Sequence, residues 1–517
     1  MAALTFLTKF NPKIIALISI CVMIVTSTIG FYLFPMLIKS NIDGLNLKKD
    51  SDIRKIWEKT PFPLTFKVYI FNLTNPLEVV EGKMPHVQQI GPYVFDEWKS
   101  KNVLSENEQD DTITSELVST YIFRPDLTKN LTGDEIVTVP HPILMGATIG
   151  AQRDRAPLLP IIVQAFQQIF LPEGTPFLNV KVMDLLFNGV GIDCDREEME
   201  AGIVCGQLPT EKGINKVNET YFTISMFGDK NGTSAGKFKI NRGIKDIKKL
   251  GEILTVDDKS EGTAYKGECN KIQGTDGTIF APYHAKSDVF WSYSPIFCRS
   301  LGPIYKFDAS YNSVPTAVYS INFDDLKSDP KMHCYCRQQD PQKCPPKGTV
   351  DVYTCMGVPL IISKPHFLDA DKKLLTGVKG LKPSRKDHDN NLQFEMITGT
   401  PVSVKNRIMF SMQIEKVEEF DLMKNMEPVI LPFFWIEESL DLDKKLTNVM
   451  RFGLYLTSTI MSVIKYGGLL LGMIGLIYAG YRMFDVKSGK VTMPPPPSIQ
   501  NPISARSLQS ALDNQKY

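Results

Sequence analysis

Two uncharged apolar runs, one near each end, constrain this chain more than any other feature. The first runs from Ile14 to Ile38, 25 residues without a charge between Lys13 and Lys39. A bilayer core of ~30 Å takes about 20 helical residues, so this run is long enough to cross. A cleaved signal sequence has an apolar core of only ~7–15 residues and a small-residue cleavage site. This run ends in the bulky Phe34-Pro35-Met36-Leu37-Ile38 and reads as an uncleaved anchor. The second run lies between about Met461 and Met483, uncharged from Tyr466 to Tyr481. Lys465 and Arg482 flank it and can snorkel to the two interfaces. Tyr466, Tyr478 and Tyr481 suit an aromatic belt. Gly468 and Gly472 form a GxxxG pair, followed by Gly475; such spacing lets helices approach closely and suggests a homo-oligomer through these glycines.

Two spans put both termini on one side. Lysines occur on both flanks of the first run, so they do not set the orientation, and long loops translocate largely regardless of flanking charge. The intervening loop decides it. It carries four Asn-x-Ser/Thr acceptors, Asn72, Asn130, Asn218 and Asn231, and eight of the nine cysteines; Cys21 lies inside the first run. An even cysteine count in a translocated segment reads as disulfides. The expected organisation is a cytosolic tail (1–13), a transmembrane helix (14–38), an extracellular domain (39–460), a second transmembrane helix (461–483) and a cytosolic, disordered tail (484–517). The localisation that follows is the plasma membrane. In the last tail, Pro494 to Pro497 favour extended polyproline II, either a linker or an SH3 or WW ligand. No Pro/Gly/Ser linker, repeat or charge block divides the loop, so one large folded unit is expected. Net charge is +1 with Lys and Arg dispersed, which argues against a nucleic-acid partner.

Strand signals dominate the loop. Phe66–Thr74 is a β-branched and aromatic run ending at Asn75-Pro76. Tyr221–Phe227 alternates, and Asp229-Lys230-Asn231-Gly232 suggests a hairpin to Phe238–Ile240 with a glycan acceptor at its tip. Ala317–Phe323 and Arg407–Ile414 alternate similarly. Helical spacing is clearest from Pro157 to Phe170, where Ile161, Ile162, Ala165, Phe166, Ile169 and Phe170 share a face. Further helices are expected around Pro142–Gly150 and Val180–Phe187. This apolar helical cluster is either core-facing or a mouth for a hydrophobic ligand lined by Ile161, Ile162, Phe166, Ile169 and Phe170.

Catalytic signatures are missing: there is no HExxH, G-x-S-x-G or Walker loop. No enzyme activity, metal or cofactor is expected. His333 beside Cys334 and Cys336 is the nearest approach to a zinc set, but thiolates are not maintained in an oxidising lumen. Cys269, Cys298, Cys334, Cys336, Cys344 and Cys355 form the most specific constellation. Six cysteines allow about 15 connectivities, and their spacing does not choose among them.

The two terminal spans, the acceptors and this cysteine series resemble the class B scavenger receptor family. So do, in order, Asn75–Phe95 with "GPYVF" at its heart, Cys269–Tyr283, Ile296–Gly302, "KPHFLDAD" (Lys364–Asp371), "ITGTP" (Ile397–Pro401) and "PFFWIEE" (Pro432–Glu438). The resemblance covers about Phe10 to Tyr481. Within the family, Asp52–Asn72, Asp96–Lys101, Asp110–Thr114, Pro345–Asp351 and the pair Cys194 and Cys205 are most similar to insect sensory neuron membrane proteins.

The resemblance implies an α+β domain between two transmembrane helices: an irregular antiparallel β-barrel, a helical cap near residues 142–189 and an internal hydrophobic tunnel. It implies bridges Cys269–Cys334, Cys298–Cys355 and Cys336–Cys344; an 11-residue separation permits Cys194–Cys205 without requiring it. Some relatives place a lysine near the cap mouth for anionic lipids. Residues 167–175 of this chain hold no lysine, and Glu173 is their only charge, which suits neutral long-chain aldehydes, acetates or alcohols. The function implied is a receptor that binds pheromones or other long-chain odorants. It would pass them through the tunnel to membrane lipid or to odorant receptor subunits, with soluble odorant-binding carriers as donors. Alternatives are a general scavenger or lipid-uptake receptor and, from another class, a two-pass ion channel subunit or an adhesion protein.

Overall fold

The computed structural model describes residues 11–170, 175–211, 213–323 and 325–488. Glu173, most of the N-terminal tail and Pro494 to Pro497 lie outside the described residues. The described residues form two compact units: 41–451, and the paired terminal segments 11–40 and 452–488.

In the smaller unit, two helices are long and apolar enough to cross a membrane, belonging to Pro12–Asp43 and Lys444–Asp485. Asn11 starts the first by accepting from Lys13 N at 3.0 Å, with Pro12 in the first turn. Each helix contains one wider π turn, Ile29–Leu33 and Arg451–Leu456. The glycines of the second helix are spent within the chain: a Cβ at Gly468 would collide with Thr26, at Gly472 with Met23, and at Gly475 with Ser19. The small-residue seam therefore docks the chain's own first helix. A homo-oligomer through Gly468 and Gly472 would need a groove that is already filled, because a tethered helix competes at high effective concentration.

The larger unit is built on one antiparallel sheet of twelve strands. In chain order they are β1 (Leu64–Leu73), β2 (Val87–Asn107), β3 (Thr112–Phe123), β4 (Ser234–Asn241), β5 (Ile253–Val256), β6 (Ile304–Tyr311), β7 (Val314–Ser320), β8 (Thr349–Asp351), β9 (Leu360–Ser363), β10 (Asn391–Glu395), β11 (Thr400–Ile414) and β12 (Val429–Asp441). The ladder runs β5-β4-β3-β2-β1-β12-β11-β10-β7-β6, and β9 branches from β11 to hold β8. Its end strands are β5 and β6, and no closed barrel is seen among its ladders. Register shifts at Val68/Ile70, Val103/Ser105 and Phe410/Ser411 mark bulges, which bend and twist the strands.

The central strands are apolar on both faces, which explains unbroken runs such as Pro432 to Ile436. Phe66, Val68, Ile70, Phe410, Phe434 and Ile436 enter one core. Phe71, Leu73, Met409, Met412 and Trp435 enter a second core on the other face. That second core is closed by two helices, α1 (Pro142–Asp154) and α2 (Leu159–Phe170), through Leu144, Met145, Ile149, Val163 and Phe166.

One local expectation fails and another is shortened. Tyr221–Ile224 does not form a hairpin with the strand beyond Asn231; it pairs with Val190–Asp193 and Ile214–Lys216 in a separate three-stranded sheet. β4 instead pairs with β3, and Gly232 N donates to Ser119 O at 2.8 Å. The turn chemistry of Asn-Gly marks a reversal but does not choose the partner strand; burial of Phe238 and Ile240 with Leu47, Trp57 and Ile113 does. The helix expected over 180–187 is present but short, spanning 182–188 and mostly of π type. Phe177–Lys181 is a strand paired with Ile136–Pro140, followed by a π turn at Asp184–Asn188. A short apolar run has no periodicity that separates buried strand from helix.

Candidate functional site

The helical cluster is the first candidate. His141 caps α1: its Nδ1 accepts from Leu144 N at 3.2 Å, and Pro142 opens the first turn. The ring is buried edge-on to Phe170, centroids 4.7 Å apart, and burial pushes its pKa down to about 4, so it is neutral. In the same last turn of α2, Arg196 Nε donates to Gln168 O at 3.1 Å and its Nη1 bonds Asp193.

α2 turns its apolar stripe inward. Phe166 is buried in the core with α1, and Ile169 is buried with Ala201 and Phe222 of a third helix, α3 (Met199–Gln207), and its neighbouring sheet. Ile162 and Phe170 are half-buried. Of the five proposed mouth residues only Ile161 is exposed, at 37%. The other apolar groups that face outward on this cluster are Leu158 (47%), Met199 (73%) and Ile203 (50%), which helical periodicity did not single out. Phe166 and Ile169 are therefore packing residues: a helix with a wide apolar face buries its centre and exposes its margins.

Four disulfides staple the larger unit. Cys194–Cys205 ties α3 to the strand before it. Cys269–Cys334 and Cys336–Cys344 hold the segment 330–345, and Cys298–Cys355 ties Cys298 to the short helix Tyr353–Met356. Within this lobe the Arg299 guanidinium lies 3.9 Å over the Tyr335 ring, and Tyr265 Oη donates to Phe297 O at 3.1 Å. His333 Nε2 meets Lys327 O at 3.1 Å, and its neighbouring cysteines are bridged. Among the described residues no group of His, Cys, Asp or Glu is placed to hold a metal ion.

A polar layer crosses the sheet below the second core, and sequence reasoning missed it. Lys67, Glu437 and Arg407 stand side by side on β1, β12 and β11, with Glu437 bonded at 2.7 Å to each cation. Burial alone would raise the Glu437 carboxyl; Lys67 and Arg407 overcome it and hold the group below its ordinary range. Next to this layer, buried Lys364 bonds Asn322 (3.1 Å), Asp369 (3.0 Å) and Asp389 (2.6 Å). Lys364, Asn322 and Asp369 border a cleft of about 540 Å³ that also includes Lys306, Lys347 and Arg385. So charged a lining does not suit an alkyl chain. Lys364, Asp369 and Glu437 belong to motifs that carried the resemblance, which was the available signal.

The glycan acceptors all lie in the larger unit. Asn130, Asn218 and Asn231 are exposed, whereas Asn72 is half-buried in β1, its Oδ1 accepting from Thr138 N at 2.8 Å. Asn218 Oδ1 accepts from Tyr221 N and Asn231 Oδ1 from Tyr121 N.

Comparison with known proteins agrees with this architecture. A family model described as the CD36 family matches residues 17–483. Sensory neuron membrane protein 1 of Aedes aegypti is 44% identical over 457 residues, 88% of this chain and 84% of the relative. The protein of the same name from Anopheles gambiae is 39% identical, covering 95% and 91% of the two chains. That from Bombyx mori is 36% identical, covering 91% and 90%.

Proposed function

The chain belongs to the CD36 family, and from that premise we propose a two-span receptor that takes up hydrophobic, long-chain odorants or pheromones at the cell surface. The family supplies the coarser statement, a membrane receptor of the class B scavenger type. The finer one is carried by the relatives, each named a sensory neuron membrane protein and alike over most of its length. The ligand meets the exposed apolar margin of the helical cluster at Leu158, Ile161, Met199 and Ile203. It then passes through the interior of the larger unit to membrane lipid or to an odorant receptor subunit, and a soluble carrier delivers it. Each buried CH₂ is worth ~0.8 kcal/mol, so a long alkyl chain favours such a path over water. The domain between the spans is extracellular and both termini are cytosolic, in keeping with four disulfides and with glycan acceptors confined to that domain. The protein acts by binding and transfer, without catalysis.

The test is mass spectrometry of lipids recovered from the purified, glycosylated protein after incubation with mixed long-chain acids, alcohols, aldehydes and acetates. Stoichiometric recovery of one class names the ligand. A folded, fully bridged protein that returns empty rejects the reading. General lipid scavenging is the second reading, favoured by the breadth of the family match; uptake without class preference would select it.

A further inference from the structure

Lys465 holds a position in the helix pair that its chain neighbours do not announce. In sequence it ends the uncharged run that begins at Tyr466. In the structure it lies level with Gly30: a Cβ at Gly30 would come within 2.7 Å of Lys465 Cβ and Cγ. Only glycine at 30 leaves room for the lysine stem. Gly30 in turn lies nine residues inside Lys39, about 13 Å of helix, which is farther than a lysine side chain reaches. Gly30 is nevertheless nearer to Lys39 than to Lys13, so the ammonium sits within the apolar depth, in the half of the membrane next to the large domain. Phe452–Ile464 and Tyr466–Tyr481, on either side of it, carry no charge.

The ammonium has aromatic company and no acid. Lys465 Nζ is 4.5 Å from the Phe31 ring centroid and 4.4 Å from that of Tyr466. Among the described residues no carboxylate forms an ion pair with it. Both rings are exposed on the helix pair, where lipid surrounds them. A cation at this depth is costly, and such residues pair with a partner or line a path. Two ring faces offset part of that cost but leave the charge uncompensated.

We infer that Lys465, framed by Gly30, Phe31 and Tyr466, is a seat for the anionic headgroup of an acidic lipid, a phosphate or a carboxylate. The ammonium supplies the charge, and the missing Cβ at Gly30 fixes its depth. This inference is independent of what the larger unit binds.

The full chain is reconstituted in phosphatidylcholine nanodiscs with trace spin-labelled phosphatidylserine, phosphatidylcholine or stearate at alkaline pH. The motionally restricted fraction of each probe is then measured. The native protein should restrict at least one acidic probe about fivefold more than phosphatidylcholine, the ratio that ~1 kcal/mol per basic residue gives. Enrichment of phosphatidylserine assigns a phospholipid, and enrichment of stearate alone assigns a free fatty acid. Lys465→Gln should abolish the preference and Lys465→Arg should keep it. Gly30→Val, which retains the charge but displaces the lysine stem, should also weaken it, and it serves if Lys465→Gln fails to assemble. Equal restriction of all three probes by the native protein, or an unchanged preference in Lys465→Gln, overturns the inference.

Discussion

Tyr69 and Trp435 face each other across β1 and β12 with their rings stacked, centroids 3.8 Å apart and 2° from parallel. Trp435 Nε1 donates to Gln89 Oε1 at 2.7 Å, and His366 Nε2 donates to the same oxygen at 2.7 Å. The stack therefore joins the second core to the polar layer. Trp435→Phe keeps a ring but strands Gln89, and should cost about 1–2 kcal/mol; Trp435→Ala opens a cavity and should cost about 3–5 kcal/mol. Denaturant unfolding of the purified protein measures both. Equal losses in the two variants would contradict the role of the indole N–H.

Acid should destabilise the larger unit before its carboxylates protonate. Lys382 N donates to His366 Nδ1, which leaves His366 neutral with its proton on Nε2. Burial, then the neighbouring His388, push the His366 pKa down to about 3, and burial pushes His141 to about 4. Both lie below their ordinary value of about 6.5, so the unfolded chain binds more protons between those values. Stability is full above about pH 6.5 and falls as pH drops toward the folded values. Melting temperature followed from pH 7 to 5 should decline, and it should decline less in His141→Asn/His366→Asn, since Asn can still cap α1. Parallel curves for the two proteins would show that other groups control the acid response.

Lys364 neutralises two carboxylates that are held below their ordinary range. Burial would raise Asp389 and Asp369; Lys364, together with Ser320 at Asp389 and Arg385 at Asp369, outweighs it. Lys364→Met leaves both acids without this partner and should cost about 3–5 kcal/mol at neutral pH, as breaking a buried pair does. The gap from the native protein should narrow as pH falls and the stranded acids protonate. A neutral-pH effect under about 0.5 kcal/mol, the range of ordinary surface changes, would count against the pairing.

A charge on α2 should act differently at its centre and at its margin. Phe166→Glu or Ile169→Glu buries an unpaired carboxylate, and loss of surface expression is the expected outcome. Ile161→Glu is exposed and should change stability by less than about 0.5 kcal/mol. Under the proposed function it should also lower lipid recovery at normal expression. Normal recovery in Ile161→Glu would place the ligand's path elsewhere.

The helix pair makes a cross-linking prediction. Ser19→Cys and Gly475→Cys, in a Cys21→Ala background, should form a disulfide within one chain, because Gly475 packs against Ser19. Oxidation should leave the protein monomeric on a denaturing gel with altered mobility. A dimer band instead would return the glycine seam to an oligomer.

Architecture was legible in the sequence because membrane insertion and oxidation state depend on long runs and on counts. A 25-residue uncharged stretch has one physical meaning in lipid, and eight cysteines on one side of it have another. Strong periodicity located α2 to within two residues of its start. The long-range bridges Cys269–Cys334 and Cys298–Cys355 came only with the family resemblance, and what failed were choices of packing partner distant in the chain. Asn231-Gly232 specified a reversal, but β3 chose β4 as neighbour. Gly468 and Gly472 specified close packing, but the first helix filled the groove. Phe166 and Ile169 specified an apolar face, but the sheet and α3 covered it. The Lys67–Glu437–Arg407 row brings Lys67 to a partner 370 positions away, a pairing no local pattern specifies. Local sequence sets which surfaces must leave water; only the tertiary structure decides what they meet, because burial is non-directional and its partners are set by chain-wide packing.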